Sequence, residues 1–128
     1  MTPGLLDTDI LIAYRETDDA AVAFVQRVRE TENPQVSQAS VLALLAWCPD
    51  ADDRIRVDAF LSPVKIHTLS ASVSHKAVSL MRGLPAPSRI TPIDGLVAAT
   101  AVLLKLPLYA LAPERYAGVP GLTVFPAR

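Results

Sequence analysis

Acidic residues follow short apolar segments at two distant places in the chain. Asp7-Thr8-Asp9 directly follows the apolar segment Gly4-Leu5-Leu6, and Asp94 stands near the start of an apolar segment that ends at Leu104. Ligands of open α/β sheets bind beyond the carboxyl ends of the strands, so Asp94 would meet Asp7 there if its helix begins at the same edge of the sheet. Converging carboxylates repel each other unless a cation lies among them, and their hard oxygens suit Mg²⁺ or Mn²⁺. An ion held in this way supports the hydrolysis of phosphodiesters.

Further polar residues are expected beside the same edge. Ser37 follows the second predicted strand and Glu114 follows the fourth, so either residue could support the acidic pair. Arg82 and Arg89 flank a proline-rich segment, residues 83–92, and a guanidinium at either position could contact RNA phosphates through paired hydrogen bonds. These residues complete the set of candidate site residues.

Every candidate also has a structural explanation that needs no ligand. Asp7, Thr8 and Asp9 could cap the helix that follows them, because Asp and Thr are favoured at helix N-termini. Asp94 lies three residues after Thr91, which is the spacing of a capping box. A serine before a helix usually caps it, and isolated arginines are usually solvated. The residues alone therefore leave capping and catalysis both open.

The elements that must position these residues alternate regularly along the chain. Short apolar strands are expected at residues 4–6, 35–37, 64–69, 108–110 and 123–125, with helices between the first four and a loop over residues 111–122. Such alternation predicts a parallel sheet covered on both faces by helices. We therefore expect an α/β fold, a three-layer α/β/α sandwich with about five short parallel strands.

Composition narrows the class of protein further. A chain of 128 residues, 51% of them hydrophobic, predicts one domain over residues 1–128 with a sizeable core. The net charge of −1 excludes the broad positive field of a general nucleic-acid binder, so any RNA contact would be local. No apolar run is long enough for a membrane span, and the N-terminus has no secretory leader, so we expect a cytoplasmic protein without a membrane partner. The mean hydropathy of +0.32 predicts that another chain covers part of the surface.

Three motifs resemble those of PIN-domain proteins. Residues 5–12, 36–41 and 93–101 are similar to the first, second and third motifs of that family, and residues 107–122 resemble its closing strand and loop. Size and motif order are similar to those of the VapC group, the bacterial toxins of toxin–antitoxin pairs that cleave RNA with a divalent metal. The resemblance implies that Asp7 and Asp94 bind Mg²⁺ or Mn²⁺, and that the partners are an antitoxin protein, a second copy in a homodimer, and RNA.

The family pattern also assigns roles to the neighbouring polar residues. It implies that Asp9 holds the turn rather than the ion, and that Thr8 and Ser37 position the site. Two usual acidic positions are alanines in this chain, Ala43 in the second motif and Ala112 after the fourth strand. Glu114 is the nearest carboxylate that could compensate for Ala112.

The missing acids leave two main functional interpretations. Mg²⁺ can be held by one or two carboxylates with water and substrate oxygens, so a ribonuclease of weakened activity is one. The other is a catalytically silent PIN fold that serves as a binding module for an antitoxin or a paired PIN chain. An unrelated doubly wound domain that binds a small ligand is a third alternative, which the lack of a glycine-rich phosphate loop disfavours.

If missing acids limit turnover, restoring them should raise metal affinity and RNA cleavage together. We predict this effect for the double variant Ala43→Glu with Ala112→Asp, and a smaller effect for either single variant, because groups that act as a unit are not additive. A metal titration and a cleavage assay on all four proteins, with Asp7→Ala as blank, test the prediction. A wild type that already cleaves as fast as the double variant would contradict it.

Overall fold

Five short strands form one parallel sheet in the computed structural model, which describes residues 1–128. The helices and strands follow each other in the order β1 (Leu5–Leu6), α1 (Thr8–Arg15), α2 (Asp19–Arg29), β2 (Gln35–Ser37), α3 (Gln38–Ala46), α4 (Ala51–Leu61), β3 (Lys65–His67), α5 (Ala71–Gly83), α6 (Pro92–Leu104), β4 (Leu108–Ala110), a 3₁₀ helix (Pro113–Tyr116) and β5 (Val124–Pro126). The spatial order of the strands is β3-β2-β1-β4-β5, and every neighbouring pair is parallel.

The central strand β1 separates two apolar cores, one on each face of the sheet. Leu5 packs into a core built with α5 and α6, whereas the next residue, Leu6, packs into a core built with α1, α2 and α4. Both leucines are fully buried, because successive side chains of a strand point to opposite faces. Helix α3 contributes to both cores through Ala39 and Leu44. The α/β/α sandwich expected from the sequence is thereby confirmed.

Two elements differ from the sequence-based expectation. The third strand covers only Lys65–His67 instead of residues 64–69, because it lies at the sheet edge and pairs only with the three residues of β2. The expected loop after β4 contains a 3₁₀ helix, Pro113–Tyr116, and a proline is well suited to the first turn of a helix. This short helix matters because it carries two side chains of the site described below.

A glycine allows α6 to approach α5 closely at the position where the site begins. A Cβ atom at Gly95 would lie 3.0 Å from the sulfur of Met81, closer than most side-chain contacts. Gly95 directly follows Asp94, so this close approach helps to fix the helix end that carries the carboxylate. No helix combines the length and the apolar character that crossing a lipid bilayer requires.

Two leucines of α3 provide a matched test of the core assignment. Leu44 has an exposed fraction of 2% and Leu42 one of 53%. We expect Leu44→Ala to lower the free energy of unfolding by about 2 to 5 kcal/mol, because it removes buried atoms and leaves a cavity. Leu42→Ala should change it by less than about 0.5 kcal/mol. Urea denaturation of both variants measures the difference, and equal losses would contradict the assignment.

Candidate active site

The candidate site lies beyond the carboxyl end of β1, the central strand of the sheet. Strand β2 lies on one side of β1 and β4 on the other, so the crevice beyond their carboxyl ends is the usual ligand position of an open α/β sheet. Asp7 is the first residue after β1, and its N–H donates to the carbonyl of Tyr109 in β4 at 2.9 Å. Asp94 enters the same crevice from the first turn of α6.

Asp7 stands at the N-cap of α1, yet its side chain does not cap the helix. The carboxylate is fully buried and faces two donors from the 3₁₀ helix instead. Nη2 of Arg115 donates to Oδ2 at 2.9 Å, and the hydroxyl of Tyr116 donates to Oδ1 at 2.7 Å. The side chain of Asp7 therefore does not cap α1 and instead faces the crevice.

Asp94 both caps its helix and faces the crevice. Its N–H donates to Oγ1 of Thr91 at 3.2 Å, while its own Oδ2 accepts from the N–H of Thr91 at 2.9 Å, which completes the capping box. The same Oδ2 accepts from Nη1 of Arg115 at 2.9 Å, and Oδ1 accepts from the hydroxyl of Tyr116 at 3.2 Å. For Asp94, the structural and the site explanations thus hold together.

Arg115 and Tyr116 join the two aspartates, which lie far apart in the sequence. One guanidinium forms an ion pair with each carboxylate, and the phenol hydroxyl lies within hydrogen-bond distance of both, so that its single proton is shared between them. These two distances from one hydroxyl oxygen keep the facing carboxylate oxygens within about 6 Å of each other. The structure therefore brings Asp7 and Asp94 together at one edge of the sheet.

Sequence reasoning missed both residues that join the aspartates. Arg115 lies one position beyond Glu114, the only residue after the fourth strand that was named as a candidate for the site. The available signal was the charge of Arg115 itself, a cation placed in a segment expected to contribute to an acidic edge. Tyr116 carried no such signal, because a single tyrosine in a loop is compatible with many environments.

Asp9 holds the turn after β4, which is the role that the family resemblance implies for it. Its Oδ2 accepts from the N–H groups of Leu111 and Ala112 at 3.1 and 3.2 Å. The same oxygen lies 3.7 Å from Nη2 of Arg115, so a third carboxylate approaches the guanidinium. Its Oδ1 is buried and has no hydrogen-bond partner. Asp9 therefore adds negative charge to the site while it fixes the loop that carries Arg115.

Thr8 and Ser37 stabilise the surrounding helices. The hydroxyl of Thr8 is hydrogen-bonded to that of Ser40 at 2.8 Å, which joins α1 to α3. Oγ of Ser37 accepts from the N–H of Ala39 at 3.1 Å and caps α3. Neither hydroxyl has a hydrogen bond to Asp7 or Asp94. Their contribution is to the position of the helices around the crevice.

The remaining candidates lie outside the acidic pair. Glu114 is exposed and its side chain does not join the aspartates, whereas its neighbour Arg115 occupies the place that sequence reasoning gave to a carboxylate. Glu114 and Arg89 line one groove of about 210 Å³ beside the proline-rich segment. Arg82 is exposed and lines a separate groove between α5 and α6. The structure therefore does not bring the two arginines into one cleft.

The donors already present occupy the space that a shared metal ion would need. Each carboxylate oxygen of Asp7 and Asp94 accepts at least one hydrogen bond, in every case from Arg115, Tyr116 or the backbone of Thr91. No group of three or more histidine, cysteine, aspartate or glutamate side chains has the arrangement of a metal site. In this arrangement the residues do not fit Mg²⁺ or Mn²⁺, because a cationic side chain already takes the position between the carboxylates.

Burial and charge shift the proton equilibria of this cluster. Burial, followed by repulsion from Asp9, raises the pKa of Asp7 from 3.8 to about 7, although Tyr116 and Arg115 oppose the rise. Burial, followed by the charge of Asp7, raises the pKa of Tyr116, which therefore remains a hydrogen-bond donor. Burial tends to lower the pKa of Arg115, but the surrounding carboxylates outweigh it and raise that pKa overall. The guanidinium therefore stays charged.

The raised pKa of Asp7 predicts a loss of stability with rising pH. Well below pH 3.8 the carboxyl is protonated in both the folded and the unfolded chain, and well above pH 7 it is ionised in both. Between these limits the folded chain binds more protons, so the free energy of unfolding falls as pH rises, by at most about 1.4 kcal/mol per pH unit. Asp7→Asn should flatten this dependence.

Urea denaturation at a series of pH values between 4 and 8 measures the effect. The variant Asp58→Asn, which removes an exposed aspartate of α4, serves as the control and should keep the wild-type slope. An Asp7→Asn variant with the same slope as the wild type would show that Asp7 does not take up a proton on folding.

Comparisons with known proteins agree with this architecture. The profile of the PIN domain family matches residues 4–110. Comparison with curated protein sequences gives no match. Among solved structures, a chain of the DNA-bound VapBC from Salmonella typhimurium has a TM-score of 0.79 at 14% identity, and the match covers 100% of both chains.

Two further solved structures have the same fold. A chain of VapBC2 from Rickettsia felis, bound to a DNA fragment from its promoter, has a TM-score of 0.78 at 18% identity, covering 97% of this chain and 98% of that chain. A chain of FitAcB from Neisseria gonorrhoeae has a TM-score of 0.70 at 19% identity, covering 94% and 95%. The alternative of an unrelated doubly wound domain is thereby excluded. Because the family profile spans most of the chain and includes Asp7 and Asp94, the protein belongs to the PIN domain family.

Proposed function

We propose that the protein is a VapC-like toxin-type PIN domain, extending over residues 1–128, whose working role is to bind an antitoxin-type protein. RNA cleavage dependent on Mg²⁺ or Mn²⁺ belongs to its lineage and is weakened or lost in this chain. The observation that carries the proposal is the position of Arg115 between Asp7 and Asp94, within 2.9 Å of each carboxylate. A pair of acids that is neutralised internally has little charge left to attract an ion.

The two alanines support weakened catalysis. Ala43 is buried in α3, and the N–H of Ala112 donates to Asp9 at the crevice, so methyl groups stand at positions that the family pattern gives to acids. Without them the negative charge around a divalent ion would be small. Local RNA contact is assigned to Arg89, which lines the groove beside the proline-rich segment, where its guanidinium could meet a phosphate.

An apolar groove supports the binding role. It has a volume of about 270 Å³ between α1, α2 and α4, and it is lined mainly by apolar side chains, namely Leu11, Tyr14, Val22, Leu44, Val57 and Phe60. Arg15 and Arg56 also line it, so an apolar segment that carries a carboxylate is complementary to it. The related structures are described as VapBC and toxin–antitoxin complexes, which supports an antitoxin-type occupant.

Exposed apolar side chains support a second interface, in a homodimer. Trp47 exposes 56% of its surface just after α3, and Leu103 and Leu104 expose 42% and 43% near the end of α6. Patches of this kind on a small protein usually mark a surface that another chain covers. Light scattering at high micromolar concentration is expected to give the mass of a dimer, and a monomer would contradict this part of the proposal.

Binding of the partner is tested on helix α2. The partner tested is an antitoxin-type protein of the kind present in the related VapBC complexes, and calorimetry measures its affinity. Val22 lines the apolar groove, whereas Ala23 lines a different surface of the same helix. We expect Val22→Glu to weaken binding roughly tenfold or more, because it places a charge in an apolar contact, and Ala23→Glu to bind like the wild type.

Equal affinities of the two variants would show that the groove is not the binding surface. The catalytic part is decided by the cleavage assay described above, in which wild type and the Asp7→Ala blank are expected to differ little. Rapid cleavage by the wild type that depends on Asp7 would overturn the claim of weakened activity, whatever the outcome of the binding test.

A further inference from the structure

The most unusual feature of the crevice is that three carboxylates surround one guanidinium. Nη2 of Arg115 lies 2.9 Å from Asp7 and 3.7 Å from Asp9, and Nη1 lies 2.9 Å from Asp94. The three acids come from the end of β1, the first turn of α1 and the first turn of α6. Elements from both ends of the chain therefore converge on a single positive charge.

We infer that Arg115 is the resident cation of this site and takes the place of a divalent metal ion. Removing its guanidinium should therefore free the Asp7 and Asp94 pair to hold Mn²⁺ or Mg²⁺, with water as the further ligands. The inference deepens the proposed function, on which it rests, because it gives a physical reason for weakened metal-dependent cleavage beyond the loss of acids at Ala43 and Ala112.

The buried carboxylates of Asp7 and Asp94 need a compensating positive charge. The side chains of Asp7 and Asp94 expose 0% and 6% of their surface, and a buried carboxylate without a partner is strongly unfavourable. Arg115 supplies the only positively charged side chain in ion-pair contact with them. A folded protein without this guanidinium must recruit another cation or take up protons, and a divalent ion is the available cation that oxygen ligands prefer.

Removing Arg115 would also leave carboxylate oxygens free to act as metal ligands. Without Arg115, one oxygen of Asp7 loses its hydrogen-bond donor, and Oδ1 of Asp9 is already buried without a partner. Asp94 keeps its capping bonds to Thr91, so the end of α6 does not depend on Arg115. The oxygens of Asp7 and Asp94 that now accept from Arg115 would then face one vacated position, with Asp9 adding negative charge beside it.

The side chain of Arg115 also separates the carboxylates from solvent. The side chain of Arg115 exposes 32% of its surface, so it lies at the mouth of the crevice while the carboxylates lie behind it. It is carried by the short 3₁₀ helix and not by the sheet. A substitution at this position therefore opens a path from solvent to the acids without altering β1 or α6.

Manganese binding tests the inference directly. Electron paramagnetic resonance of free Mn²⁺ gives the number of bound ions and their dissociation constant, and thermal melting with and without Mn²⁺ gives an independent readout. Arg115→Gln removes the charge and keeps a polar side chain, Arg115→Lys keeps the charge, and Arg27→Gln removes an exposed guanidinium from α2 as a control for net charge.

We expect Arg115→Gln to bind one Mn²⁺ per chain at least roughly tenfold more tightly than the wild type, and to melt at a higher temperature when Mn²⁺ is added. Arg115→Lys and Arg27→Gln should behave like the wild type. The double variant Arg115→Gln with Asp94→Asn should fold and lose the gain, because one of the converging carboxylates is gone.

Three results would overturn the inference. Wild type could bind Mn²⁺ as tightly as Arg115→Gln, or a folded Arg115→Gln could fail to bind. Alternatively, Arg115→Gln could stay unfolded even when refolded with Mn²⁺ while the double variant folds, which would show that an ion cannot replace the guanidinium. These failures are distinct from failure of the proposed function, which wild-type RNA cleavage or loss of partner binding would reveal.

Discussion

The ion pairs of Arg115 with two buried aspartates are the interactions on which the site depends. Asp7 follows the central strand, where neighbouring strands and helices exclude water from every side. A carboxylate placed there has no hydration shell, so its charge must be met by hydrogen bonds and an opposite charge. Arg115 and Tyr116 meet both needs, for Asp7 and for Asp94 together.

The sheet topology explains why the compensating residues come from the end of the chain. Strand β4 lies directly beside β1, so the segment that leaves β4 begins next to the carboxyl end of β1, where Asp7 lies. Asp9 fastens this segment by accepting two of its backbone N–H groups. The 3₁₀ helix then begins at Pro113 and directs Arg115 and Tyr116 back into the crevice. The fold thus places the guanidinium of Arg115 between Asp7 and Asp94, the position at which a metal-dependent nuclease would need its ion.

Neutralising the acids internally changes what the same architecture is suited to do. A nuclease of the proposed lineage needs carboxylates that are free to hold an ion, whereas a binding module needs only a stable fold and an apolar surface. The ion pairs satisfy the second requirement and oppose the first, because every carboxylate oxygen of the pair already accepts a hydrogen bond. The apolar groove between α1, α2 and α4 does not depend on these ion pairs, since Asp7, Asp94 and Arg115 are not among the residues that line it.

Much of the architecture and part of the site followed from the sequence. The alternation of apolar strands and helices determined the parallel sheet, because burial on both faces requires apolar segments of that length and spacing. The motifs around Asp7 and Asp94 placed both acids at one edge, and the Thr91 box was readable from spacing alone. These features are local in sequence or follow from strand order, so a single sequence carries them.

Only the tertiary structure decided what lies between the acids. Asp7 could have capped α1, and Glu114 could have joined the acidic cluster, but the 3₁₀ helix turns Arg115 inward and leaves Glu114 exposed. The direction in which neighbouring side chains of a short helix point depends on how its loop is fastened, here by Asp9 more than 100 residues away in sequence. Such a long-range contact has no local signature in the sequence. Whether a cation or an acid fills the crevice could therefore be determined only from the tertiary structure.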